Sequence, residues 1–395
     1  MKCFLSIALF FLSVQVFAQC DGRYETEIFT DVSKTTVEYT DVYDWSAFDT
    51  GLDMDIYQPD NDTATNRPLI IFAHGGTYVA GNKNNPAMIS LCEAFGKRGY
   101  VTASIQYRLT STANLFSPNA SDIFSQTVLN SVSDMKAAVR YFRKDVAVNN
   151  NSYGIDNDLI FVGGYSAGAI TAAHLSFIDD NQVPAEFQSF YDLAGGLEGN
   201  SGNSGYSSEV SGAILLAGAL NTLDFIDADD EPVVSLHATD DNTVFYECAN
   251  ALNNPSLPYL CGSGKISEEL DNIGLLNDLY TFSSGGHAAP ILDIDGVAVP
   301  FISDFLYNLI CETTSVKVND LKSFTAYPNP CQSHLNIESA TPINNLVVSD
   351  MLGNIVLEFP VEIGVNSIDL TSLNKGVYLI HSRDLNSVKQ LFVKS

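Results

Sequence analysis

Short apolar runs separated by helix-length segments constrain this chain more than any other feature. Residues 69–73 are continuously apolar, as is most of 101–105, and 159–162, 213–217 and 233–236 follow the same style. Runs of that length without polar alternation read as strands buried on both faces, the texture of a parallel sheet with helices above and below. Between two of the runs, Val132, Met135, Ala138, Val139 and Phe142 recur at helical spacing, and Ala167–Phe177 predicts a second helix. The stretch from Thr40 to Cys311 is therefore expected to be an α/β domain with a mostly parallel sheet flanked by helices.

After Cys311 the texture changes. Residues 313–323 are polar and read as a linker, and from Phe324 onward short alternating strands follow at 335–337, 346–348, 355–359, 367–370, 377–380 and 390–393. Asn344, Gly353 and Gly376 supply turns between them, so residues 324–395 are expected to form a small all-β sandwich. Two domains also suit a chain of 395 residues. The sandwich carries six acids against four bases, a net of −2 out of −28 for the chain, so the acidity lies in the α/β part.

The first eighteen residues read as a secretory signal. Lys2 gives the positive start, residues 4–16 are apolar but short for a bilayer span, and Val16 and Ala18 give a small-residue cleavage pattern before Gln19. A membrane anchor is the bland alternative, and the bulky Gln19 before Cys20 argues against a lipoprotein. No other stretch is expected to be long and apolar enough for a transmembrane helix. The domains are thus 1–18 signal peptide, 19–312 α/β domain, 313–323 linker and 324–395 sandwich, in a secreted or cell-surface protein. So acidic a surface repels nucleic acid and anionic membrane, and neither is expected as a partner.

Export permits disulfides. Without Cys3 of the signal, six cysteines remain, and sequence alone does not choose among their pairings. Cys248 with Cys261 is the pair expected, stapling a short loop that contains Asn253, Asn254, Pro255 and Pro258. A zinc site is the rival reading; no CxxC and no His-rich spacing supports it, and no metal or cofactor is expected.

Gly164-Tyr165-Ser166-Ala167-Gly168 follows one apolar run directly and opens the helix behind it. A serine on such a tight turn is exposed as a nucleophile, and the flanking glycines let strand and helix approach. His74-Gly75-Gly76-Thr77 follows an earlier run in the same manner. Consecutive glycines can aim bare N–H groups at one point, so the N–H groups of Gly76 and Ala167 are candidate oxyanion donors, with Gly75 or Thr77 as further possibilities. The helix N-terminus adds a favourable dipole.

A serine hydroxyl needs a histidine base held by a carboxylate. His74 belongs to the glycine turn, His174 lies inside a helix, His237 ends an apolar run where it orders a loop, and His334 and His381 lie in the sandwich. That leaves His287, on a glycine-flanked loop after the apolar residues 279–282. Asp241, between Ser166 and His287 in the chain, is the candidate acid, with Asp240 as a solvated or loop-capping neighbour. Asp227, Asp229, Asp230 and Glu231 read as a solvated loop rather than a metal site.

These motifs together resemble the esterase and carboxylesterase branch of the α/β-hydrolases, particularly a bacterial group with feruloyl- and acetyl-xylan-esterase-like members. The resemblance rests on residues 52–59 with Asp55, Tyr57 and Pro59, on 74–83 with Tyr78 and Gly81, on Tyr107-Arg108-Leu109, on 133–168 through Gly154-Ile155-Asp156, and on 237–244. It covers about 270 residues and implies an α/β-hydrolase fold with Ser166, Asp241 and His287 as a triad. Departures are Thr77 and Ala238 where glycine is usual, and Ala288 and Ala289 after the histidine; each is expected to reshape the acyl pocket. Residues 324–395 resemble the sorting domain of the type IX secretion system of Bacteroidetes, through Tyr327-Pro328-Asn329-Pro330, 350–353, 373–378 and 389–394. A carbohydrate-binding module is the alternative, but the single tryptophan, Trp45, lies elsewhere.

The expected function is hydrolysis of carboxylic esters, small or polysaccharide-linked, through an acyl-enzyme on Ser166, with the type IX machinery as partner for the C-terminal domain. Residues 178–209, carrying Phe187, Phe190, Tyr191 and Tyr206, are expected to cap the site. A serine peptidase of related fold and an inactive binding protein on the same scaffold are the rivals.

Overall fold

The computed structural model describes residues 20, 22–43, 51–179, 182–183, 187–312, 324–327, 330–339, 343–350, 355–382 and 389–394. The expected signal at 1–18 and linker at 313–323 lie outside them. The chain divides into two compact units, Met1–Cys311 and Glu312–Ser395.

The first unit is built on one eight-stranded sheet. Its strands are β1 (Val32–Tyr43), β2 (Gly51–Pro59), β3 (Arg67–Ala73), β4 (Val101–Ile105), β5 (Ile155–Tyr165), β6 (Ala213–Leu216), β7 (Val233–Ala238) and β8 (Asn277–Phe282). They lie in the order β1-β2-β4-β3-β5-β6-β7-β8. From β4 to β8 every pairing is parallel, while β1 and β2 extend the edge as antiparallel strands. The mostly parallel sheet expected from the apolar runs is therefore present. The main helices are α1 (Pro86–Lys97), α2 (Ala120–Val148), α3 (Ala167–Phe177), α4 (Gln188–Ala194), α5 (Ser263–Ile273), α6 (Ala289–Leu292) and α7 (Val299–Tyr307).

Burial follows the two-residue period of a strand covered on both faces. In β3, Leu69, Ile71 and Ala73 join one core cluster with residues of α2, α3 and α5, whereas Ile70 and Phe72 join another with residues of α1 and α7. The chain runs from β3 to β4 through α1 on one face, then returns past β3 to β5 through α2 on the other. That reversal leaves a crevice at the C-terminal ends of the strands, where open α/β sheets bind ligands. β3 and β5 are direct neighbours there, so the turn after each faces the other.

Cys248 and Cys261 form the disulfide expected from the sequence, and Cys20 pairs with Cys311. Cys92 and Cys331 carry buried thiols. One expectation is corrected by the last helices. The run Ile294–Cys311 has a mean hydropathy of 1.4 over 18 residues, so by length and composition it is able to cross a membrane. Asp295 and Asp304 interrupt the run and mask this in the sequence. Here its Ala298, Val299, Ile302, Phe305 and Leu306 are buried in the core cluster of α1.

The second unit holds two antiparallel sheets. β9 (Phe324–Tyr327), β10 (His334–Ser339) and β13 (Gly364–Asp369) form one with β10 central. The other, in the order β12-β11-β14-β15, contains β11 (Ile343–Asp350), β12 (Ile355–Val361), β14 (Gly376–Ser382) and β15 (Lys389–Lys394). Leu335, Ile337, Leu346, Val348 and Ile380 share one small core between the sheets. The expected all-β sandwich is present, with β9 an additional strand.

A close backbone approach lies where α3 begins. A Cβ on Gly168 would sit 2.0 Å from the Ala73 carbonyl oxygen, which belongs to rigid strand backbone. Gly168→Ala is expected to lower unfolding stability by about 1–3 kcal/mol through overpacking, measured by guanidinium denaturation.

Candidate active site

Ser166 sits at the turn between β5 and α3 with φ 56° and ψ −118°, a left-handed conformation that is strained for any residue but glycine. Its N–H donates to Leu216 O at 2.8 Å, at the end of β6, which holds the turn in place. Gly164 and Gly168 make the turn possible, because a Cβ on either would strike the Ala73 carbonyl oxygen.

The structure brings together the three residues expected as nucleophile, base and acid. Ser166 Oγ lies 2.8 Å from His287 Nε2, and His287 Nδ1 lies 2.7 Å from Asp241 Oδ2. The other Asp241 oxygen accepts the N–H groups of Thr243 at 2.8 Å and Val244 at 3.1 Å. Burial alone would push this carboxyl up; hydrogen bonds from His237 and His287 hold it far below the usual carboxylate range. Asp241 is therefore ionised, which fixes His287 as an Nδ1–H donor with Nε2 turned to the serine.

Three consecutive residues after β7 grip three consecutive parts of the His287 loop. The Thr239 N–H donates to Phe282 O at 2.9 Å. The Asp240 carboxylate accepts the N–H groups of Gly285 at 3.3 Å and Gly286 at 2.8 Å. Asp241 then takes the imidazole itself. Asp240 thus caps a loop, as expected, and the loop is the one that carries the histidine. From below, the Tyr165 hydroxyl donates to His287 O at 3.2 Å, and the two rings lie 5.1 Å apart. Burial, with the nearby Asp241 charge, pushes the Tyr165 hydroxyl up to about 12, so it remains a donor.

His237 orders its surroundings through two elements. The Ser263 N–H donates to its Nδ1 at 3.3 Å, so Nδ1 is an acceptor and Nε2 carries the proton. Nε2–H then donates to Val244 O at 2.9 Å and lies 3.3 Å from Asp241 Oδ2. Its contact with the acid was not legible from the sequence, although the four-residue spacing to Asp241 was the available signal.

The glycine turn after β3 faces the serine. A Cβ on Gly75 would come 3.2 Å from the Ser166 Cβ, and one on Gly76, at φ 134°, would strike Ala80 O at 1.9 Å. Thr77 and Tyr78 follow with positive φ of 54° and 58°. The Tyr78 hydroxyl donates to Ala167 O at 2.8 Å, tying this turn to the first residue of α3. Among the described residues, none accepts from the N–H of Gly76 or Ala167. Arg108 of the Tyr-Arg-Leu stretch binds Asp134 of α2 and Ser201, and so anchors the segment after α4 to α2.

A cavity of about 460 Å³ opens beside Ser166. Thr77, one of the departures noted in the sequence, lines it. Phe187 and Tyr191 line it from the expected cap, whereas Phe190 and Tyr206 do not. The start of α2, with Phe124 and Val128, and residues of the stretch from Ala251 to Leu260 also line it, and nothing in the sequence pointed to either. His174 also reaches the cavity; burial pushes it down and keeps it neutral, with Nδ1–H bonded to Ile170 O at 2.7 Å. Among the described residues no three His, Cys, Asp or Glu side chains converge as metal ligands.

The strand order, the serine turn and the loops above it are those of an α/β-hydrolase. Residues 54–255, just over half of the chain, match the BD-FAE family, and the chain belongs to that family. Residues 325–394 match the secretion system C-terminal sorting domain. The first unit is similar in fold to a propionate-bound thermophilic esterase from Thermogutta terrifontis, with TM-score 0.50 and 21% identity, covering 70% of this chain and 94% of that one. Gut esterase 1 of Caenorhabditis briggsae is 29% identical over 109 residues, and that of Caenorhabditis elegans 28%. These alignments cover 28% of this chain, which spans only 18% of the length of the curated relatives it matches.

The acidic run beyond β6 has a separate consequence. Burial, with Asp179 and Glu209 nearby, pushes the half-buried Glu231 up to about 7. Its folded value exceeds its unfolded one, so its contribution to stability is full in acid and lost as pH rises through about 7. Glu231→Gln is expected to raise the melting temperature at pH 8 and change it little at pH 4, followed by thermal melts at both.

Proposed function

We propose that this protein is an exported serine hydrolase of carboxylic esters that works through an acyl-enzyme on Ser166. The observation that carries the reading is the unbroken hydrogen-bonded series from Ser166 Oγ through His287 to Asp241. His287 Nε2 takes the hydroxyl proton as Ser166 Oγ attacks the ester carbonyl. Asp241 holds the imidazole in the Nδ1–H tautomer and stabilises the imidazolium as it forms. The N–H groups of Gly76 and Ala167, with Gly75 alongside, receive the charge on the tetrahedral oxygen, and the N-terminus of α3 adds its dipole. His287 returns the proton to the departing alcohol, and water then releases the acid by the same route.

Asp241 is the acid in this reading, and Asp240 and His237 are positioning residues. Asp240 acts through the backbone of the His287 loop, and His237 through Asp241. Small-molecule esters and esters linked to polysaccharide are both admitted as substrates. The C-terminal match supports export by a secretion machinery, which the type IX resemblance names, following an amino-terminal signal.

Ser166→Ala is expected to reduce hydrolysis of p-nitrophenyl acetate by at least about 10⁴-fold, with the melting temperature unchanged. A wild-type protein active on a peptide anilide and inactive on short esters would replace this reading with a peptidase. Asp240→Ala is expected to lower kcat by roughly tenfold through misplacement of the base. Asp240→Asn should restore most of it, because an amide oxygen still accepts the Gly286 N–H; equal losses in the two variants would exclude the positioning role.

A further inference from the structure

The stretch that the sequence left without a role is a hairpin with a built foundation. Cys248–Asn250 pairs antiparallel with Tyr259–Gly262, and the Cys248–Cys261 disulfide joins directly opposed residues. Tyr259–Gly262 also pairs with Ala219–Leu220, which gives the hairpin a third strand. At its tip Leu252 and Asn253 adopt φ of 56° and 53°. Leucine rarely occupies that conformation, and backbone held there marks a segment fixed by its surroundings. The Leu252 N–H donates to Thr243 O at 2.9 Å, and the Ala251 N–H donates to Pro258 O at 3.0 Å.

Both feet of this hairpin rest on groups that hold Asp241. Thr243 and Val244, just before it, donate their N–H groups to the carboxylate. Ser263, just after it, donates to His237, whose other nitrogen reaches Asp241. Between the feet, Ala251, Leu252, Leu257, Pro258, Tyr259 and Leu260 line the cavity beside Ser166. Phe124 and Val128 of α2, with Phe187 and Tyr191 at α4, line the same cavity, alongside the polar Ser121, Ser125 and Gln182.

We infer that the disulfide-closed hairpin 248–261 is the specificity wall of the site, binding the bulky apolar arm of an ester in the cavity that α2 also lines. The inference rests on the esterase reading and deepens it. An acetyl group leaves most of a cavity of about 460 Å³ unfilled, whereas a longer chain exchanges water for contact with both walls. Each methylene buried there is worth about fourfold in affinity. The crosslink restricts the hairpin before substrate arrives, so little ordering remains to oppose binding.

Leu252 is the residue to change, because it lines the cavity at an exposed tip and its loss does not open the core. Leu252→Ala should lower kcat/KM for p-nitrophenyl octanoate about fivefold or more while p-nitrophenyl acetate changes less than twofold. Octyl acetate, with the same chain on the alcohol side, tells which arm of the ester the wall receives; a selective loss on either chain supports the wall. Parallel loss on acetate and octyl-chain esters, or no loss on either, overturns the proposal. Binding of octyl acetate to Ser166→Ala protein, with and without Leu252→Ala, reads the wall without turnover. If the wild-type protein hydrolyses no ester, the esterase reading falls and this binding pair alone decides the wall: weaker binding with Leu252→Ala sustains it, and equal binding overturns it.

Discussion

The Ala73 carbonyl oxygen and the two glycines packed against it fix the geometry on which the rest of the site depends. β3 and β5 are neighbours in a parallel sheet, and α3 has to leave β5 without colliding with the end of β3. Only glycine at positions 164 and 168 leaves room, and the strain of the reversal is concentrated on Ser166 at φ 56°. From that turn the hydroxyl reaches His287 Nε2 and lines the cavity. The same close approach brings the turn at Gly75 and Gly76 against the serine, so a single packing constraint positions the hydroxyl and the facing amides together.

Around this point the protein supports each polar group from more than one side. Asp241 is buried, yet its two oxygens accept backbone N–H groups from Thr243 and Val244 and imidazole N–H groups from His287 and His237. A buried carboxylate without such partners would be neutral and of no use in orienting an imidazole. His287 is in turn held through its ring, through its carbonyl by Tyr165, and through the preceding loop amides by Asp240. Precision at the histidine thus comes from β5 and from the residues after β7, not from its own glycine-rich loop.

Much of this was legible in the sequence because it is written in short-range signals. The runs at 69–73 and 159–162 announced strands buried on both faces, the glycines around Ser166 announced a tight strand-to-helix turn, and Cys248 with Cys261 announced a staple. Other features were illegible because they join distant residues through space. Asp241 was legible as the acid and Asp240 as a loop-capping neighbour, but only the fold shows that the loop Asp240 caps is the one carrying His287. The apolar length of Ile294–Cys311 was masked by Asp295 and Asp304, whose neighbours nevertheless pack into the core.

The amino-acid sequence alone was enough for the fold class, the division into an α/β unit and a β sandwich, and the choice of Ser166, Asp241 and His287, which the fold brings into hydrogen-bond contact. Each of these follows from residue type at fixed local spacing, whether the two-residue period of strands, the glycines of a turn or the apolar stripe of a helix. What surrounds Ser166 was settled only by the packing of distant segments. The cavity walls come from α2, from the segment around Phe187 and from the hairpin 248–261, which are remote in the chain and meet only when the sheet closes. The size and polarity of that space arise from packing between these elements, and no single stretch of sequence carries them.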